Sequence, residues 1–296
     1  MPADISDLDA RKYSLARELF VDTADDNYIL ARLAYRESLN VDFNWLAVHA
    51  LEKYYKAALL INGRSGKNFT DKSGKRAAFG HNIVLLHEQL MTFAAELLPF
   101  AMIAPNCWHS NDWHAESTDA FLDRLYRDGN ADNRYQLFGY SHHPGEIHKL
   151  DRMVFAVRRL CIPLDAYYLN KSVRATLTDN RHHFSHRDLL IRQPDYWEKI
   201  GGKLADAISG RRGPFLHDIV MHENFAFAES DSYPKMYQIR SSSHDSAIWR
   251  NILLPMEQGD KESRDIARAL GIWMTENVHL PDDVRKQLTT AIKYPS

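Results

Sequence analysis

Apolar residues recur at steps of three and four along most of this chain, the period of helices with one buried face. Ser6 is placed to cap a helix through Phe20 that carries Leu8, Tyr13, Leu15 and Leu19. Thr23 followed by Asp26 reads as a capping-box-like start, with a helix running to about Leu39. The clearest pattern is Phe43, Leu46, Ala47, Ala50, Leu51, Tyr54, Ala57, Ala58 and Ile61, with Gly63 where a helix would end. Residues 64–80 break the pattern with three glycines and five Lys/Arg, which predicts a basic loop. Periodicity resumes from Asn82 to Leu98, again from Ser117, and after Pro144 to about Ile162, where Pro163 stops it. Further helices are expected near 165–177, 195–209, 214–228, 244–254, 261–277 and 282–292, with a short strand over Tyr233–Arg240. The expected fold is all-α: an antiparallel up-and-down bundle over residues 1–163, followed by a helical extension over 164–296.

Composition narrows the function classes without choosing one. Lys and Arg total 37 and Asp and Glu 39, a formal charge of −2, so nucleic-acid binding would need a local patch. Cys107 and Cys161 are too few for a disulfide framework. The acidic start lacks a signal-peptide pattern, and the most apolar stretch, Phe93 to Pro105, is too short to span a bilayer. A cytoplasmic protein with no membrane partner is expected. Histidine is the unusual entry, with fifteen residues in bunches. There is no phosphate-binding glycine loop and no nucleophile elbow.

Three pieces of sequence resemble the HEPN family, nucleotide-binding helical bundles of higher eukaryotes and prokaryotes, over roughly residues 22–162. Ala47-Val48-His49-Ala50-Leu51-Glu52-Lys53-Tyr54-Tyr55-Lys56-Ala57-Ala58-Leu59 matches the family's A-x-x-A-x-E-K-x-x-K-A-x-L core. Gly80-His81 before an apolar run is similar to the family's entry to its third helix, and Arg134-Tyr135 to a pair that often precedes its last helix. The resemblance implies a bundle of four or five helices, often a homodimer, that binds nucleotide or RNA, sometimes beside a partner nucleotidyltransferase. It places Lys53, Lys56, His81, Arg134 and Tyr135 among the binding residues. Arg76 joins them from the basic loop, where Arg64, Lys67, Lys72 and Lys75 also lie. The same charges on the long helix read equally well as a solvated face.

Some HEPN members are metal-independent ribonucleases built on Arg-polar-x(3–5)-His. A histidine moves the proton of a ribose hydroxyl, and an arginine holds the phosphoryl oxygens. The best match is Arg181-His182-His183-Phe184-Ser185-His186, with His186 as acid–base group, Arg181 as clamp and His182 orienting it. Such spacings arise by chance about as often as they occur here, in Arg76–His81, Arg181–His186, Arg211–His217 and Arg212–His217. This reading needs no cofactor and no metal. Two alternatives stand beside it: a non-catalytic dimeric scaffold, and a metal-dependent phosphohydrolase using clusters such as His142, His143, Glu146 and His148, or His109, Asp112 and His114.

Overall fold

The first two helices are joined without a break. In the computed structural model α1 (Asp7–Ala16) passes through one π-helical turn, Arg17–Val21, into α2 (Asp22–Arg36). Thr23 therefore caps nothing; its hydroxyl donates back to the Leu19 carbonyl at 2.9 Å, since an N-cap requires the backbone to leave the helix. Residues described are 7–71, 73–106, 108, 113–131, 133, 139–143, 145–166, 184–196, 203–210, 213–227, 241–243, 248–277, 280 and 282–293. Arg134, Tyr135, Arg181 and His182 lie outside them, as do Cys107, His109, Asp112, the expected strand over Tyr233–Arg240 and most of the expected helix at 165–177.

The fold is all-α. The strongest periodic segment becomes α3 (Asn40–Ile61), and α2, α4 (Ile83–Ala94), α5 (Thr118–Gly129) and α6 (Glu146–Arg158) all pack on it. Phe43, Leu51, Tyr54, Tyr55, Ala57 and Leu59 of α3 are wholly buried, so this helix is the axis of the bundle. Gly129 lets α5 come close: a Cβ there would sit 2.3 Å from the Asn44 carbonyl oxygen.

The basic loop is more ordered than its composition suggests. Within it, β1 (Asn68–Thr70) and β2 (Arg76–Ala78) form a short antiparallel hairpin, with Phe69 opposite Ala77. Two further pairs join distant segments: β3 (Ala101–Met102) with β4 (Glu116–Ser117), and β5 (Tyr140–His142) with β6 (Ser241–Ser243). Strands this short carry no periodic signal.

Beyond the bundle come α7 (His186–Arg192), α8 (Lys203–Ser209) and α9 (Pro214–Met221). The hydrophobic core does not stop at residue 163. Leu164, Leu190, Leu204, Ile208, Ile219 and Phe227 belong to the same buried cluster as α3, because α8 and α9 pack on α2. A second core of Ile248, Ile252, Met256, Ala267, Leu280, Val284 and Leu288 lies around α10 (Leu254–Gln258), α11 (Lys261–Asn277) and α12 (Asp282–Lys293). Among the described residues the change of core thus falls between 227 and 248.

Candidate nucleotide-binding face

His49, Glu52, Lys53 and Lys56 are spaced i, i+3, i+4 and i+7 on α3, which puts them on one side of the helix. The Phe79–Asn82 loop runs over that side because both of its ends are tied down. Phe79 is buried and stacks on Phe69 of the hairpin at 4.8 Å. The Asn82 side chain caps α4, accepting from Val84 N at 2.9 Å and Leu85 N at 3.1 Å. Lys56 Nζ donates to the Gly80 carbonyl at 3.0 Å and to Glu52 Oε1 at 2.6 Å. The i,i+4 pair legible in the sequence is thus real, and the loop roofs it.

Glu52 is the hub. Only 5% exposed, its carboxylate receives Lys56, has His81 Nδ1 3.1 Å from both oxygens, and has His49 Nδ1 3.5 Å from Oε2. Burial alone would raise its pKa; the bonds from His49, Lys56 and His81 outweigh burial and hold it at about 2. An ionised carboxylate favours the ring hydrogen on the nitrogen that faces it, leaving the lone pair on Nε2. Among the described residues, neither Nε2 has a hydrogen-bond partner. The two ring centroids are 6.4 Å apart, Trp45 packs edge-on against His49 at 4.1 Å, and the His81 side chain is 75% exposed.

At the hairpin a groove of about 460 Å³ is lined by Arg64, Ser65, Asn68, Thr70, Arg76 and Gln89, among others. None of its described lining residues is acidic. Arg64 lies over the Phe93 ring at 5.1 Å and remains exposed, as does Arg76. Of the expected binding residues, Lys56 and His81 therefore converge, and Arg76 lies on the adjoining hairpin. Lys53 turns toward α2, its Nζ 2.6 Å from Asn27 Oδ1. His49 and the central role of Glu52 were missed by sequence reasoning. The signal available was their i, i+3 spacing on the face that also carries Lys56.

His186 stands elsewhere. It opens α7 after the capping box of Ser185 and Asp188, is fully buried, and its Nε2 is 2.9 Å from the Arg159 carbonyl oxygen. Burial lowers its pKa. The ring braces α7 against the end of α6 and has no solvent-open surface.

Four other described histidines make separate contacts. His142 is buried with Nε2 2.9 Å from Asn44 Oδ1, and burial pushes its pKa down to about 4. His148 lies between Trp108 and Phe225, where burial pushes it to about 3. His143 stacks on His114 at 3.9 Å, while Glu146 binds Arg124 at 2.8 Å. Among the described residues no group of three or more His, Cys, Asp or Glu is arranged to hold a metal ion. Burial raises the half-buried Cys161 thiol, packed against the core, to about 12, so it carries almost no thiolate.

A second set of charges forms an enclosed seam. Arg32 of α2 pairs with Asp151 of α6, which also accepts from Tyr28 at 2.6 Å, and Arg32 Nε reaches the Ile219 carbonyl at 2.8 Å. Asp25 takes Arg158 at 2.9 Å through both oxygens and Tyr54 at 2.6 Å. Burial raises the pKa of both Asp25 and Asp151, opposed by their arginines. Arg124 joins Glu116 to Glu146, and Lys149 binds Glu116 as well.

No helix among the described residues is long and apolar enough to cross a membrane. No protein-family model, curated protein or solved structure matches the chain.

Proposed function

We propose that this chain is a HEPN-like, nucleotide- or RNA-binding helical protein that takes phosphate groups on the face formed by α3 and the β1–β2 hairpin. The observation that carries this reading is the open groove of Arg64 and Arg76 on the hairpin, none of whose described lining residues is acidic. Arginines on a solvent-open groove meet phosphate oxygens with fixed donors, and a near-neutral chain needs such a patch to bind nucleic acid at all. Phe69 and Phe93 add apolar ring surface near the same arginines. The resemblance adds a second copy of the chain and a nucleotidyltransferase as expected partners.

The test is a titration of fluorescein-labelled single-stranded RNA, and separately of labelled ATP, at two salt concentrations. Replacing Arg64 and Arg76 together by alanine is expected to weaken RNA binding for every sequence. The salt dependence should fall by about one unit of slope for each lost phosphate contact. Unchanged affinity and slope would remove this face from consideration.

A further inference from the structure

We infer that the outer side of α6 carries a binding site for a small apolar monocarboxylate, anchored by Arg152. One side of α6 packs on α2 and α3, while His148, Lys149, Arg152, Phe155, Ala156 and Arg159 share another. Two hollows lie along that second side. The larger, of about 220 Å³, has Leu97, Leu98, Pro99, Phe155 and Ala156 among its walls. The smaller, of about 50 Å³, is bordered by Met102, Ile103, Trp113 and Phe225. Arg152 and Ala226 line both, so the hollows adjoin at the guanidinium.

Arg152 differs from every other base on this side. The rest of α6 is buried, apart from half-buried Arg158, yet Arg152 is exposed. Lys149 is taken by Glu116, Arg158 by Asp25, and Arg159 by the Phe155 and Pro194 carbonyls. Among the described residues Arg152 has no hydrogen bond and no ion pair. Glu96, the one acid among the described lining residues of either hollow, is paired with Arg187. A guanidinium fork matches the two oxygens of a carboxylate. A phosphate dianion would call for a second free base, and the neighbouring bases are engaged. A cavity of about 150 Å³ holds benzene, so the larger hollow has room for one ring or a short branched chain. The site shares no described lining residue with the hairpin groove, and it stands apart from the RNA-binding reading.

The experiment titrates 3-phenylpropionate, 3-phenylpropanol and acetate into the full chain, followed by ligand-observed saturation-transfer NMR. The acid is expected to bind with a Kd on the order of 0.1 mM. The alcohol, which lacks the charge, and acetate, which lacks the ring, should each bind about tenfold more weakly or worse. Arg152→Ala should weaken the acid about tenfold and leave the alcohol unchanged. Arg152→Lys, which keeps the charge without the fork, should fall between. Because the side chain is exposed, both variants should keep the urea midpoint of the unaltered chain. Failure of the acid to bind saturably, or equal affinity for acid and alcohol, would overturn the inference. So would unchanged affinity of the acid in Arg152→Ala. Displacement of the acid by equimolar inorganic phosphate would overturn it in favour of a plain anion site.

Discussion

The seam between α2 and α6 and the face around Glu52 are built from the same kinds of residues, acids opposed by bases, yet they differ in what is left over. In the seam, Arg32 reaches Asp151 and two backbone carbonyls, and Asp151 also takes the Tyr28 hydroxyl. Its groups are spent on one another in a place water does not reach. At Glu52 the carboxylate is nearly as enclosed, but its partners extend outward: His81 is 75% exposed and His49 24%. Burying the anchor while exposing what it anchors makes a set of oriented donors and acceptors facing solvent. Charge clustering alone does not distinguish structure from chemistry; the exposure of the partners does.

The comparison breaks most readily at Asp151. Asp151→Ala leaves Arg32 buried without its carboxylate and should lower unfolding free energy in urea by about 3–5 kcal/mol. His81→Ala, at an exposed ring, should change it by about 0.5 kcal/mol or less. Similar losses from the two variants would mean that the face is as structural as the seam.

Acid should act next. His142 and His148 are neutral in the folded chain down to about pH 4 and pH 3, whereas in the unfolded chain they take protons below about pH 6.5. The unfolded state thus binds more protons across that window, and stability falls as pH falls. Each of the two histidines should contribute about 1.4 kcal/mol per pH unit below 6.5. Glu52 adds to the loss with the same sign between its ordinary value of 4.5 and about 2. Urea midpoints at pH 7, 6 and 5 measure this, and a flat profile would show that these rings are not enclosed.

The smallest expected effect separates anchoring from contact. Glu52→Gln removes the charge that Lys56 and the two imidazoles share, and should cost about 1 kcal/mol of stability. RNA affinity should stay within about twofold, as expected for a group that orients others. An affinity loss of about tenfold or more would make Glu52 part of the binding surface instead.

How much of this was legible depended on how local each feature is. α3 was plain because a buried face repeats every three or four residues, and the Glu52–Lys56 pair followed from the same period. The β1–β2 hairpin was not, since three-residue strands in a glycine-rich basic segment show no alternation. The α1–α2 junction misled because Thr23 and Asp26 mimic a start where the backbone continues through a π turn. His49 was passed over because it lies inside an apolar helix pattern and meets His81 only when the 79–82 loop folds back across α3.

By itself, the sequence determined an all-α protein, the positions of its main helices and the presence of a basic break after α3. Those depend on periods and caps within one turn of backbone. Tertiary structure alone decided which histidines are enclosed, that the first core continues to Phe227, and that one buried carboxylate holds two imidazoles and an ammonium. Burial and convergence are properties of segments distant along the chain, and a periodic pattern carries no record of what packs against it.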